Sequence, residues 1–83
     1  MRIRLKLFAT LSEFLPTGAV RNAIDVEVPE RATPHQVMHL YRVPRGQAHL
    51  VVVNGVFVPP PQRDSLILAE GDELALWPPV AGG

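Results

Sequence analysis

Apolar and polar residues alternate strictly at the start of the chain: Ile3, Leu5 and Leu7 fall on one side, and Arg2, Arg4, Lys6 and Phe8 on the other. A period of two puts successive side chains on opposite faces of an extended chain, so residues 2–9 are predicted to form a half-buried strand. Between Thr10 and Gly18, Leu11, Phe14 and Leu15 have helical spacing, but Pro16 and Gly18 cut the run to a turn of helix inside a loop. Alternation returns with Ile24, Val26 and Val28 against Asp25 and Glu27, which predicts a second strand with an acidic outer face. Antiparallel pairing with the first strand would set these carboxylates opposite Arg4 and Lys6.

Thr33-Pro34-His35-Gln36 has the form of a helix start, with Thr33 as N-cap, Pro34 at the first helical position and Gln36 closing a capping box. The helix should end near Arg42, because Pro44 disfavours helical geometry at Val43. Val37, Leu40 and Tyr41 would form its apolar face, leaving His35, His39 and Arg42 towards solvent. Leu50 to Val53 is a continuous apolar run, as expected of a central strand buried on both sides. Asn54-Gly55 is a strong hairpin signal, returning through Val56, Phe57 and Val58. Pro59-Pro60-Pro61 then stops the strand and implies an extended connection across the surface. Finally, Glu70-Gly71-Asp72-Glu73 reads as a tight turn into a last strand ending at Trp77. The order is strand, strand, helix, strand, short strand, strand. One helix covering one face of a mixed sheet gives an α+β domain, and two hairpins flanking that helix fit the β-grasp, or ubiquitin-like, arrangement.

At 83 residues the chain can build one modest core and is too short for a substrate cleft with its own catalytic machinery. An apolar fraction of 47% is that of a globular protein. Eight Lys and Arg against eight Asp and Glu leave a formal charge of zero, without the cationic excess that nucleic acid or an anionic membrane would call for. No apolar run approaches the length of a membrane span, and the alternating first residues form a strand pattern where a signal peptide would need an apolar block. A cytoplasmic protein is expected. The absence of Cys removes disulfides, thiolate metal sites and thiol nucleophiles together. Any sulfur handled here cannot ride on a side-chain thiol.

The sequence divides into a domain over residues 1–77 and an extended tail over 78–83, Pro78-Pro79-Val80-Ala81-Gly82-Gly83. Extended, the tail would reach roughly 20 Å. Two prolines stiffen its base and two glycines present no side chain to a narrow channel, so the segment is suited to insertion into a partner. The competing reading is a frayed terminus of small residues. If the tail is functional, its reactive group is the Gly83 carboxylate, an anion with a reference pKa near ~3.5 and a poor acceptor for nucleophiles. Another enzyme would have to activate it.

These residues resemble the ThiS/MoaD family of sulfur-carrier proteins, which includes the small subunit of molybdopterin synthase. The resemblance rests on the ending Pro78 to Gly83, on Gly71-Asp72-Glu73 entering the last strand, on Val53-Asn54-Gly55, and more weakly on Phe8-Ala9. It implies a β-grasp fold and a carrier without catalytic residues or bound cofactor of its own. ATP would be used by a ubiquitin-activator-like adenylating enzyme, which turns the Gly83 carboxylate into an acyl adenylate that a persulfide converts to a thiocarboxylate. Pro78, Pro79, Val80, Ala81 and Gly82 would be the inserted segment. The implied second partner is the large subunit of molybdopterin synthase or another sulfur-accepting synthase. The helix is shorter than is usual in the molybdopterin branch, whereas the Pro-Pro-Val spacing leans towards it; molybdopterin, thiamin and other thio-metabolites stay open as destinations.

Other candidates are weaker in context. His35 and His39, spaced i and i+4, could share a metal, but no third ligand is evident beside them and a solvated helix face accounts for both. Ser12 and Ser65 lack any triad or elbow context. Pro59-Pro60-Pro61 could be a polyproline ligand or a rigid connector. If Leu74 and Leu76 face the core, Glu73, Ala75 and Trp77 face away from it, and Trp77 is either an anchor for a partner or an aromatic laid over the sheet edge. Three functional readings follow: a sulfur carrier, a ubiquitin-like modifier joined to lysines through Gly83, and a β-grasp interaction module with an inert tail.

Overall fold

A computed structural model describes residues 1–79; Val80, Ala81, Gly82 and Gly83 of the expected tail lie outside the described residues. Five strands, β1 (Arg2–Leu7), β2 (Ala23–Glu27), β3 (Leu50–Val53), β4 (Val56–Phe57) and β5 (Glu73–Trp77), form one mixed sheet in the order β2-β1-β5-β3-β4. The helix α1 (Pro34–Leu40) is joined by short 3-10 turns at Ala9–Phe14, Arg45–Gln47 and Pro60–Gln62. β5 runs parallel to β1 and antiparallel to β3, so the last strand is the central one. This is the β-grasp arrangement.

The alternation sorts the two sheet faces. Ile3, Leu5, Leu7, Val26, Val51, Val53, Leu74 and Leu76 are buried on the inner face, in one cluster with Val37 and Met38 of α1. The predicted capping box forms: Gln36 N donates to Thr33 Oγ1 at 3.2 Å and Thr33 N to Gln36 Oε1 at 3.0 Å. α1 ends at Leu40, short of Arg42, which takes a left-handed φ of 61°. Its buried face is also rotated from the predicted one. Pro34, Val37 and Met38 are buried and Tyr41 is half-buried, at positions i, i+3, i+4 and i+7, and this turns Leu40 outward to 50% exposure. His35 is correspondingly drawn in, with Nδ1 2.8 Å from Asp64 Oδ1, while His39 stays exposed.

Three further expectations are corrected. β3 is buried on one face only, with Leu50 and Val52 half-buried, because α1 supplies a layer on the inner side and nothing among the described residues supplies one outside. Arg4 does meet Asp25 at 3.0 Å, but Lys6 lies opposite Ala23 and pairs with Glu73 at 3.1 Å, while Glu27 pairs with Arg2 at 3.1 Å. Only register, which the composition of two strands does not fix, assigns these partners. Pro59-Pro60-Pro61 is not an extended connection either: Gln62 N donates to Pro59 O at 2.9 Å in a 3-10 turn that carries Arg63 into the interior.

The two motif turns hold each other at the end of the sheet away from Trp77. Asn54 Nδ2 donates to Asp72 Oδ1 at 2.8 Å, Glu73 N donates to Asn54 Oδ1 at 2.8 Å, and Ala69 N donates to Asp72 Oδ2 at 2.8 Å. Asn54 sits at φ 50° and Gly71 at φ 84°, left-handed geometry that Asn tolerates and Gly favours. Asn54 of Val53-Asn54-Gly55 and Asp72 and Glu73 of Gly71-Asp72-Glu73 therefore form a structural clamp.

Candidate functional site: the end of β5 and the outer sheet face

β5 delivers the chain to the tail at Trp77. The carbonyl of Trp77 accepts from His49 N at 2.9 Å, and that of Leu76 accepts from Phe8 N at 3.1 Å, so β1 and the start of β3 grip the end of the strand from both sides. Phe8 lies flat on Trp77, with ring centroids 4.5 Å apart and planes 6° from parallel. At Ala9 the chain turns away through a φ of 51°.

Register extends this stack into a surface. Leu50 is opposite Trp77, Val52 is opposite both Ala75 and Phe57, and Phe57 is 50% exposed. Phe8, Trp77, Leu50, Val52 and Phe57 thus make the half of the outer face nearest the tail apolar. The other half carries Arg2, Arg4, Lys6, Asp25, Glu27 and Glu73 in ion pairs. Within it, the hydrogen bond from Arg4 holds the Asp25 carboxyl below the usual carboxylate range. An apolar area continuous with the tail base and flanked by a charged one suits a protein partner.

Arg63 supports the same end from within. It is 5% exposed; Nε donates to Val58 O at 2.9 Å, Nη1 to Ala48 O at 3.1 Å and Nη2 to His49 O at 3.2 Å, and its guanidinium lies 5.8 Å from the centre of the Phe57 ring. Burial lowers its affinity for the proton. His49 connects the two systems: its carbonyl receives Arg63 and its amide donates to Trp77.

Of the predicted site residues, Trp77 lies on the outer face, half-buried and stacked; Pro78 is half-buried and Pro79 exposed. Gly83 and the segment from Val80 to Gly82 fall outside the described residues. His35 is engaged with Asp64, and among the described residues no cluster of three or more His, Asp or Glu side chains could hold a metal. The Ser65 hydroxyl donates to Gln62 O at 3.4 Å, a local turn contact. No described helix is long and apolar enough to cross a membrane.

Trp77→Ala should cost about 1–2 kcal/mol of stability: the stack contributes about 0.5–1.5 kcal/mol beyond its area, and a fully buried aromatic would cost about 3–5 kcal/mol. Urea denaturation separates the two ranges. A double-mutant cycle with Phe8→Ala should return a coupling of about 1 kcal/mol, and additive losses would contradict the stack.

No curated protein matches the chain. Among solved structures it is similar to SAMP1 from Haloferax volcanii, at 29% identity and TM-score 0.68 over 100% of both chains. It is similar to the Haloferax volcanii small archaeal modifier protein 1 at 25% identity and TM-score 0.64, over 95% of this chain and 98% of that one. A chain in the complex of subunits 1 and 2 of molybdopterin-converting factor from Helicobacter pylori 26695 shares the fold at 15% identity and TM-score 0.62, with 100% of each chain covered. The profile of the ThiS family matches residues 5–83, and the chain belongs to that family.

Proposed function

We propose that the chain is a cytoplasmic sulfur carrier, without catalysis of its own, whose Gly83 carboxylate is converted to a thiocarboxylate. The observation that carries this reading is the ThiS-family match, which runs to Gly83 itself. A carboxylate oxygen attacks the α-phosphorus of ATP on an adenylating enzyme, and pyrophosphate leaves. A persulfide sulfur then displaces AMP at the acyl carbon, and a second thiol cleaves the S–S bond, leaving the thiocarboxylate on Gly83. Pro78 and Pro79 stiffen the tail, Val80, Ala81 and Gly82 thread it, and Trp77 with its apolar neighbours docks the partner. A sulfur-accepting synthase follows as second partner; the subunit complex of the molybdopterin-converting factor supports the molybdopterin type.

Likeness to a small archaeal modifier protein favours a second reading, in which the same adenylate is transferred to a lysine amine. Intact-mass measurement of protein isolated from cells with the activating system present distinguishes the two. An oxygen-for-sulfur gain confined to Gly83 is the expected result. Conjugates of higher mass would establish the modifier, and the persistent absence of both would refute activation at the tail.

A further inference from the structure

The zero formal charge conceals a segregation. None of the eight acidic residues falls between Arg31 and Arg63, a stretch that holds four of the eight Lys and Arg residues and all three His. Four of these seven side chains, Arg31, His35, His39 and Arg45, gather along α1. There Pro29, Glu30, Arg31, His35, Gln36, His39, Leu40 and Arg45 line an open groove of about 540 Å³. α1 separates this groove from the sheet, so it lies on the opposite layer of the domain from Trp77.

The carboxylates beside the groove are already engaged. Glu30 sits 3.3 Å from the Met1 amino group, and Asp64 bridges His35 at 2.8 Å and Arg45 at 3.3 Å. Arg31 and His39 have no side-chain partner among the described residues, and Gln36 spends its oxygen on the capping box, leaving its amide N–H groups to donate. The groove therefore offers donors and, at Arg31, a positive charge without a side-chain partner among the described residues. It also offers Leu40, the one apolar side chain that the helix turns to solvent, beside Pro29. An inorganic anion would use the charge and leave Leu40 wet; an acidic segment with an aliphatic side chain would use both.

We propose that the groove along α1 is a second docking face, for an acidic, aliphatic-containing segment of a partner protein. It goes beyond the carrier reading and uses no part of the tail. A partner held there leaves the Trp77 face free, so the domain can be presented to one protein while held by another.

The test is titration of the full chain, labelled for amide NMR, with a short synthetic peptide alternating Glu and Leu at low ionic strength. Saturable shifts confined to residues 29–45 are expected, weakening as salt screens the charges. Arg31→Glu and Leu40→Asp should each weaken binding by about tenfold. Both side chains are exposed, so dispersed spectra and unchanged melting should confirm the fold, and His39→Glu substitutes for either variant that fails this check. The proposal is overturned by the absence of saturable shifts up to about 1 mM peptide, by shifts centred on Trp77, or by a Leu40→Asp variant that binds as well as the parent. Equal displacement of the peptide by inorganic phosphate would likewise overturn it, because the groove would then read charge alone.

Discussion

Deletion of Gly83 is expected to abolish sulfur acceptance while leaving melting and near-ultraviolet spectra unchanged. The fold should be indifferent, because among the described residues the last member of the buried cluster is Leu76. Chemically little changes at the new end: Gly82 would carry a carboxylate of nearly the same pKa. What changes is reach, by about one residue or roughly 3.5 Å. Acyl activation needs near-contact geometry, and a misplacement of about 1 Å already costs on the order of a hundredfold. Gly82→Val should fail for the complementary reason, since a β-branched side chain occupies width that an extended glycine leaves open. Both variants should still bind partners through the Phe8 and Trp77 surface. A thiocarboxylate forming at the parent rate on the protein ending at Gly82, read by intact mass, would remove Gly83 from the mechanism.

The local pattern identified the strands, the capping box at Thr33 and the hairpin at Asn54-Gly55, because each is a short-range device whose physics is complete within a few residues. Sheet order is another matter. The parallel pairing of β1 with β5 joins residues some seventy positions apart, and nothing in either strand names its neighbour. The Phe8–Trp77 stack depends on that pairing, so the sequence showed two outward aromatics without showing that they meet. The helix face differs from the expected one in exchanging Leu40 for Pro34 and Met38, because Pro34, a cap signal in the sequence, also packs in the core. Arg63 was missed altogether. An arginine beside Asp64 in a proline-rich loop reads as a surface charge, and only the fold brings three unpaired carbonyls to it.

Arg63→Met should lower the free energy of unfolding by about 3 kcal/mol, the largest stability loss expected from any polar residue here. Two effects oppose each other. Removing a buried guanidinium recovers its desolvation cost, which is modest because the group is weakly hydrated and has three carbonyl acceptors as substitutes for water. Against that, Val58 O, Ala48 O and His49 O all lose their donor, and a buried group left unpaired costs about 1–3 kcal/mol. The second effect wins even if solvent reaches His49 O. Methionine keeps most of the apolar stem, so lost packing contributes little. Arg63→Lys should recover only part of the loss, because a single ammonium cannot span three carbonyls fixed for a planar fork. Because the His49 peptide links Arg63 to Trp77, exchange of the His49 amide should accelerate in the Met variant more than that of Leu5 in β1. Urea denaturation showing a loss below about 1 kcal/mol, or a Lys variant as stable as the parent, would mean that the three hydrogen bonds do not hold this end of the sheet.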